Sequence, residues 1–379
     1  MAQIPVNQDR LVEIYLELAR QNTPPRQERA ASELAKKRLE ALGFECFYDD
    51  AGEKVGGNVG NLIAYKKGTV SAAPPIFFSA HFDTVEPTPD INLIVEDDII
   101  RSDGKTLCGA DDKCGLAPII EGMYILQEQD TSHGDIQLLL TICEEIGLVG
   151  AKVMDPKLIK AKYGFVLDSG PPVGAYIYQA PTQDIFEVWV RGKASHAGAA
   201  PEDGISAIRI AAKAISQMKL GRIDPETTAN VGIIRGGHAT NIIPDEVYLK
   251  CEARSRNPEK LARQMQHMTE LFETSAAELG GTCDIKVEHA YHGYELKMDS
   301  PVLKIAEKAT EAIGLEFILR VTGGGSDGNI FNAHGIPTTV LGNGMQNIHR
   351  HDEFVKISDM VKSAELVVSI AQTAAEWRE

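Results

Sequence analysis

The chain has 379 residues, 43% apolar and 24% charged. That is the make-up of a globular protein of two or three domains, not of a disordered or fibrous one. Its formal net charge of −16 repels phosphate backbones and anionic lipid, so no nucleic-acid or membrane partner is expected.

Six cysteines (Cys46, Cys108, Cys114, Cys143, Cys251 and Cys283) form no C-x-x-C pair and read as reduced thiols. There is no apolar leader and no apolar run of about 18 residues, so the expected location is cytoplasmic.

In chain order, Leu11, Ile14, Tyr15 and Leu18 repeat at helical spacing, and Thr23-Pro24-Pro25 ends that helix. A second helix carries Ala31, Leu34, Ala35, Leu39 and Leu42, with Gly43 as its stop. Short apolar runs then alternate with helical stretches such as Gly115 to Gln129. Ile76-Phe77-Phe78 leads to His81 and Asp83, and Ile136 to Ile142 leads to Glu144-Glu145. Tyr163 to Leu167 leads to Asp168, and Thr338 to Leu341 leads, after a glycine loop, to His349. Strands alternating with helices predict an α/β domain with a mostly parallel mixed sheet and flanking helices. Open α/β sheets bind ligands at the carboxyl ends of their strands, so four distant segments are expected to converge on one crevice.

The middle of the chain has a different grammar. Strands are expected at Ile185–Val190, Ala229–Ile234, Glu246–Lys250 and Asp284–Glu288. One helix is marked by Ile205, Ile208, Ala212 and Ile215. A second opens at Asn257-Pro258 and carries Leu261, Met265, Met268 and Phe272 on one face. The order β-α-β-β-α-β is a split βαβ, ferredoxin-like arrangement. We read residues 183–293 as an inserted lid domain inside a discontinuous catalytic domain of residues 1–182 and 294–379.

Five groups carry chemistry: His81 with Asp83; Gly109-Ala110-Asp111-Asp112-Lys113; Glu144-Glu145; Asp168; and His349. Imidazole and carboxylate together suit zinc, cobalt or manganese rather than calcium. Adjacent acids at apolar strand ends repel one another unless a cation lies near. Any one of these groups alone is more often a solvated turn or a satisfied hydrogen bond; five at sheet-edge positions are not explained that way. No Gly-x-Ser-x-Gly elbow is present, and Cys143 reads as a buried inert thiol.

The motifs Ser79-Ala80-His81-Phe82-Asp83-Thr84-Val85, Gly109-Ala110-Asp111-Asp112-Lys113, Cys143-Glu144-Glu145-Ile146-Gly147, Ala194-Ser195-His196-Ala197-Gly198 and Asn347-Ile348-His349 together resemble the co-catalytic zinc exopeptidase family. That family includes peptidase T, carboxypeptidase G, aminoacylase and succinyl-diaminopimelate desuccinylase. The Gly-Ala-Asp-Asp-Lys motif and the ending Asn347-Ile348-His349-Arg350-His351-Asp352-Glu353-Phe354 lean toward the peptidase T branch.

The resemblance implies two divalent metal ions per chain, zinc first and cobalt or manganese next. Asp111 would bridge them. His81 and Asp168 would complete one site, and Glu145 and His349 the other. Asp83 would orient the His81 ring, and Glu144 would be the general base. The Asp111–Asp112 peptide would be cis. His196 would donate to the oxyanion, reaching a neighbouring subunit in a homodimer formed through the lid. Asn241, Arg254, Gly324 and Ser326 would hold substrate.

The implied activity is removal of the N-terminal residue from short peptides, tripeptides above all. Carboxypeptidase or N-acyl amino acid hydrolase action stays open as an alternative. The Gly323–Gly328 stretch also matches Gly-x-Gly-x-x-Gly, the pattern of a nucleotide-dependent oxidoreductase, but lacks the acidic residue about 20 positions on.

Overall fold

Strands buried on both faces read as unbroken apolar runs, because neither face meets water. In the computed structural model, which describes residues 4–378, the four apolar runs are four such strands. They are Ile76–His81, Ile136–Thr141, Tyr163–Ser169 and Thr338–Gly342. Ile76–His81 pairs in parallel with Ile136–Thr141 on one side and with Tyr163–Ser169 on the other, and the latter pairs in parallel with Thr338–Gly342. Antiparallel strands extend both edges: Leu62–Lys66 and then Glu45–Tyr48 beyond Ile136–Thr141, and Ala175–Ala180 beyond Thr338–Gly342. The sheet is mixed, with a parallel centre.

Helices cover it. Ala110–Glu128 packs on Ile76–His81 and also against Gln8–Ala19 and Ile357–Glu376. Its buried residues include Leu116, Ile119, Ile120 and Met123. The sequence places the start of this helix at Gly115, and the regular helix does begin only after Asp112. Asp111 (φ −84°, ψ 105°) and Asp112 (φ −123°, ψ 33°) are not helical, and the peptide between them is cis, as the resemblance implies.

The described residues divide into two compact units. One is bounded by Met1–Tyr178, Glu295–Val321 and Ser326–Glu379, the other by Gln179–Tyr294 and Thr322–Gly325. The outer bounds 1 and 379 of the domain reading lie outside the described residues.

The second unit holds a five-stranded antiparallel sheet. Its spatial order is Gly221–Asp224, Thr227–Gly236, Glu246–Ser255, Thr182–Arg191, Thr282–Tyr291. The last four strands, with helices Ala207–Gln217 and Pro258–Glu278, are in split βαβ order. Gly221–Asp224 is an addition that the sequence did not reveal. Asn257 caps the long helix, accepting from the Lys260 N–H at 3.1 Å, and Pro258 occupies its first turn. Leu261, Met265, Met268 and Phe272 lie in the core beneath it, packed with Phe186, Val188 and Leu249. The shorter helix turns another face inward than expected. Ala207, Ile210, Ala211 and Ala214 are buried, whereas Ile208 is 44% exposed; alanines let this helix lie close to the sheet.

Candidate active site

Each acidic or imidazole group at the carboxyl edge is placed by the strand before it. His81 is the last residue of its strand, Asp168 the last but one of its own, and Glu144 and Glu145 follow Thr141 by three and four residues. Asp111 lies in the non-helical start of Ala110–Glu128, and His349 sits in a loop beyond Gly342.

These side chains converge. His81 Nε2 lies 3.0 Å from Asp111 Oδ1 and 4.0 Å from Asp168 Oδ1. His349 Nε2 lies 3.2 Å from Asp111 Oδ2 and 3.1 Å from Glu145 Oε2. The two oxygens of Asp111 therefore face different imidazoles. The ligand atoms form two sets, His81–Asp111–Asp168 and Asp111–Glu145–His349, each within 4.8 Å.

The donor chemistry fits divalent cations. Burial drives the proton affinity of Asp168 and Glu144 well above the ordinary carboxylate range, with Asp111 adding to the effect at Asp168. Burial likewise raises Glu145, against the pull of His349. Asp111 goes the other way: burial opposes ionisation, but His349 and His81 outweigh it. Glu145 Oε1 is buried without a hydrogen-bond partner, a costly state that a ligated cation would relieve. Four carboxylates share this space with two imidazoles, so charge balance favours added positive ions.

The His81 ring is oriented from behind. Its Nδ1 is 3.1 Å from the Asp83 main-chain oxygen and 3.4 Å from Asp83 Oδ1. An Nδ1–H given to that carbonyl leaves the Nε2 lone pair for a metal. The carbonyl is thus the nearer of the two Asp83 partners.

Residues to which the sequence assigned no individual role surround the cluster. Asp112 is fully buried; Oδ2 accepts the His81 N–H at 3.2 Å and Oδ1 accepts from Asn343 Nδ2 at 2.8 Å. Asn343 Nδ2 also donates to the Leu167 carbonyl at 2.8 Å, beside Asp168. The Lys113 ammonium, fully buried, donates to Thr23 Oγ1 at 3.0 Å and to the Phe82 carbonyl at 2.6 Å. Asp327 is buried, with Oδ2 on the Thr141 hydroxyl and Oδ1 unpartnered. All four stand inside or beside motifs already quoted, but only the fold supplies their partners.

The remaining candidates are placed as follows. His196 is exposed in the second unit. Its Nδ1 accepts the N–H groups of Gly198 and Ala199, both at 3.1 Å, so Nε2 carries the ring hydrogen. Asn241 and Gly324 also lie in the second unit, and the Asn241 carbonyl accepts the Ala197 N–H at 2.9 Å. Arg254 Nη2 donates to Glu252 Oε2 at 3.0 Å, an ordinary ion pair, yet its buried Nε has no partner. Ser326, in the first unit, caps the seven-residue helix Asp327–Ala333. His351 is outside both ligand sets and pairs with Glu86 at 2.6 Å. Cys143 is a buried free thiol, and burial, then Glu28, pushes its pKa far above the usual thiol range.

The sequence profile of Peptidase family M20/M25/M40 matches residues 77–373. The chain belongs to that family. Protein YqjE of Bacillus subtilis is 44% identical over 371 residues, covering 98% of this chain and 100% of its own. The crystal structure of aminopeptidase PepT from Bacillus cereus shares 44% identity and a TM-score of 0.88, covering 98% of this chain and 99% of that one. A tripeptidase structure from Staphylococcus aureus shares 40% identity and a TM-score of 0.93, covering 98% and 100%. As a member of the M20/M25/M40 family the chain is a peptidase, and its substrates are peptides. Among the described residues no helix is long and apolar enough to cross a membrane.

Proposed function

We propose that this peptidase is a dinuclear metallo-exopeptidase that releases the N-terminal residue of short peptides, tripeptides among them. The observation that carries the reading is Asp111, whose two oxygens address His81 and His349 separately at 3.0 and 3.2 Å. Asp111 would bridge two divalent ions, zinc by ligand type, with His81 and Asp168 on one and Glu145 and His349 on the other. Bound there, such ions supply Lewis acidity toward the scissile carbonyl and acidify water.

The chain's own residues do the rest. Glu144 stands beside the ligand sets without belonging to either. It can therefore take the proton of the attacking water and pass it to the leaving amine. His196 presents an Nε2–H suited to a developing oxyanion. Arg254 retains an unsatisfied Nε–H toward a peptide carboxylate, and Asn241, Gly324 and Ser326 complete the residues we assign to substrate. The names of the Bacillus cereus aminopeptidase and the Staphylococcus aureus tripeptidase support the N-terminal, short-peptide reading. Free cysteines support a cytoplasmic setting. The exposed Ile208, Ile234 and Ile242 of the second unit support a homodimer through that unit.

The test is metal quantification joined to a peptide panel of free, N-acetylated and C-amidated tripeptides. Two ions per chain, with release of the N-terminal residue from the free peptide, slower release from the amidated one and none from the acetylated one, is the expected result. Cleavage of the acetylated peptide alone would move the assignment to an N-acyl hydrolase, and release of the C-terminal residue in place of the N-terminal one would move it to a carboxypeptidase.

A further inference from the structure

We propose that Glu353 is a positioning residue for the metal cluster: one buried carboxylate holds the segment that carries Asp111 and the loop that carries His349 in a common register. The proposal rests on the dinuclear reading above.

Four successive backbone N–H groups converge on this carboxylate. Oε2 accepts from Cys108 at 3.0 Å, Gly109 at 2.8 Å and Ala110 at 3.2 Å, and Oε1 accepts from Asp111 at 3.2 Å. Such convergence needs a backbone that curls around the anion, and Gly109 provides it with φ +72°. Glu353 is only 1% exposed. A carboxylate that deep is tolerated only when hydrogen bonds replace its water, and here the chain of residues 108–111 does so.

On its other side Glu353 belongs to the His349 loop. Its N–H donates to the Arg350 carbonyl at 2.9 Å. Gln346 and Phe354 exchange backbone hydrogen bonds of 2.9 and 3.2 Å, closing the loop at its base. Asn347 Nδ2 donates to the Asp352 carbonyl at 3.2 Å. The His349 side chain is 48% exposed, so packing does not fix it. Asn347 and His349 also hold positive φ values of 53° and 62°, which a free loop would leave.

The deep anchor among these loop residues is Glu353. The contacts form a circuit: Asp111 N–H to Glu353, Glu353 through Arg350 to His349, and His349 Nε2 back to Asp111 Oδ2 at 3.2 Å. Asp111 is common to both ligand sets, so a shift of its main chain disturbs both ions.

The experiment uses the full chain with Glu353→Gln, an isosteric change that removes the charge and turns an NH2 group toward N–H donors. Metal-free wild type and variant are titrated with zinc and with cobalt(II) against a competing chelator, and the visible spectrum is recorded at saturating cobalt(II). Both ions are expected to bind about 10- to 100-fold more weakly, with altered cobalt band intensities even at saturation. The spectrum is the readout that a purely structural role would leave unchanged.

Wild-type affinities with a wild-type spectrum would overturn the proposal. If Glu353→Gln yields no folded protein, Glu353→Asp takes its place. It keeps the charge but cannot span all four donors, so the same weakening is expected and wild-type binding in it would likewise overturn the role. A wild-type chain that fails to bind two ions sinks the dinuclear reading instead, before any variant is made.

Discussion

Asp83 Oδ1 accepts the backbone N–H of Glu144 at 3.0 Å, and its other oxygen accepts that of Glu145 at the same distance. Asp83 is fully buried, and its main-chain oxygen is the partner of His81 Nδ1. One residue thus orients an imidazole and the turn that presents both glutamates. With the turn fixed, Glu145 reaches His349 at 3.1 Å while Glu144 stays outside both ligand sets.

Replacing Glu144 with Gln should therefore separate chemistry from metal binding. The side chain keeps its size and loses its basicity, and kcat is expected to fall by roughly 10²- to 10⁴-fold. Metal content, measured by mass spectrometry, should stay at the wild-type value. Loss of an ion on this change would mean that Glu144 and Glu145 have exchanged roles.

Metal binding should depend on pH with a definite sign. Without metal, Asp111 and then Glu145 raise the His349 pKa to about 10. Burial pulls His81 down, but Asp111 and Asp83 outweigh it and hold the ring well above the ordinary imidazole value. Both rings are then protonated at neutral pH, and each must lose its proton to ligate. Asp168 and Glu145, whose proton affinity burial raises, must ionise as well, so each ion should displace at least one proton and affinity should rise by at least about tenfold per pH unit between about pH 6 and about pH 8. Calorimetry in buffers of differing ionisation enthalpy counts the protons directly. A chelator-stripped sample should be inactive, and activity should return with zinc or cobalt.

Much of this site could be read from the sequence because parallel strands advertise themselves. Ile136–Thr141 is buried at every position, so its run is apolar but for Gln137 and Thr141, and the acidic residues after it mark the sheet edge. His81, Asp168 and the Glu144-Glu145 pair are legible for that reason. Asp112, Asn343 and Glu353 are not, because what they do is defined by distant partners. Asn343 meets Asp112 across 231 positions, and Glu353 meets residues 108–111 across 242 to 245. A buried acid looks the same in sequence whether it binds a metal, a side chain or four main-chain N–H groups. The helix Ala207–Gln217 fails to match for a simpler reason: its isoleucines suggest one face, and its smaller alanines fit the sheet better.

Gly115 shows how tightly the ground beneath the metal cluster is packed. A Cβ there would lie 2.3 Å from the Leu167 carbonyl oxygen and 2.5 Å from Asp112 Oδ1. The first is backbone and cannot swing aside, and it immediately precedes Asp168. Gly115→Ala should cost about 1–3 kcal/mol in stability and weaken metal binding together with it. Thermal midpoints and chelator competition on the same preparation test both halves. An unchanged midpoint would mean that the strand end yields freely.

The homodimer reading has its own check. Ile234 is 54% exposed in the second unit. Ile234→Asp should shift the sedimentation coefficient of a dimer to that of a monomer while metal content stays at wild type. A wild-type protein that sediments as a monomer at micromolar concentration would remove the reading.

Arg10 and Glu121 offer a test far from the catalytic chemistry. Arg10 Nε and Nη2 lie 2.6 and 2.9 Å from the two oxygens of Glu121, joining helix Gln8–Ala19 to Ala110–Glu128, the helix that follows Asp111. The Arg10 side chain is 18% exposed and that of Glu121 is fully buried. The Asn7 N–H, at 3.1 Å from Oε1, is a further donor to the glutamate. Arg10→Ala would leave Glu121 charged and buried with that N–H as its remaining partner among these, an arrangement that costs roughly 3–5 kcal/mol. Arg10→Met with Glu121→Leu removes both charges and fills the space, so it should recover most of the loss. Urea unfolding of the wild type, the single variant and the double variant gives the comparison. A single-variant loss below about 1 kcal/mol would place the pair with surface ion pairs, whose contribution is that small, and would show that water reaches Glu121 once the guanidinium is gone.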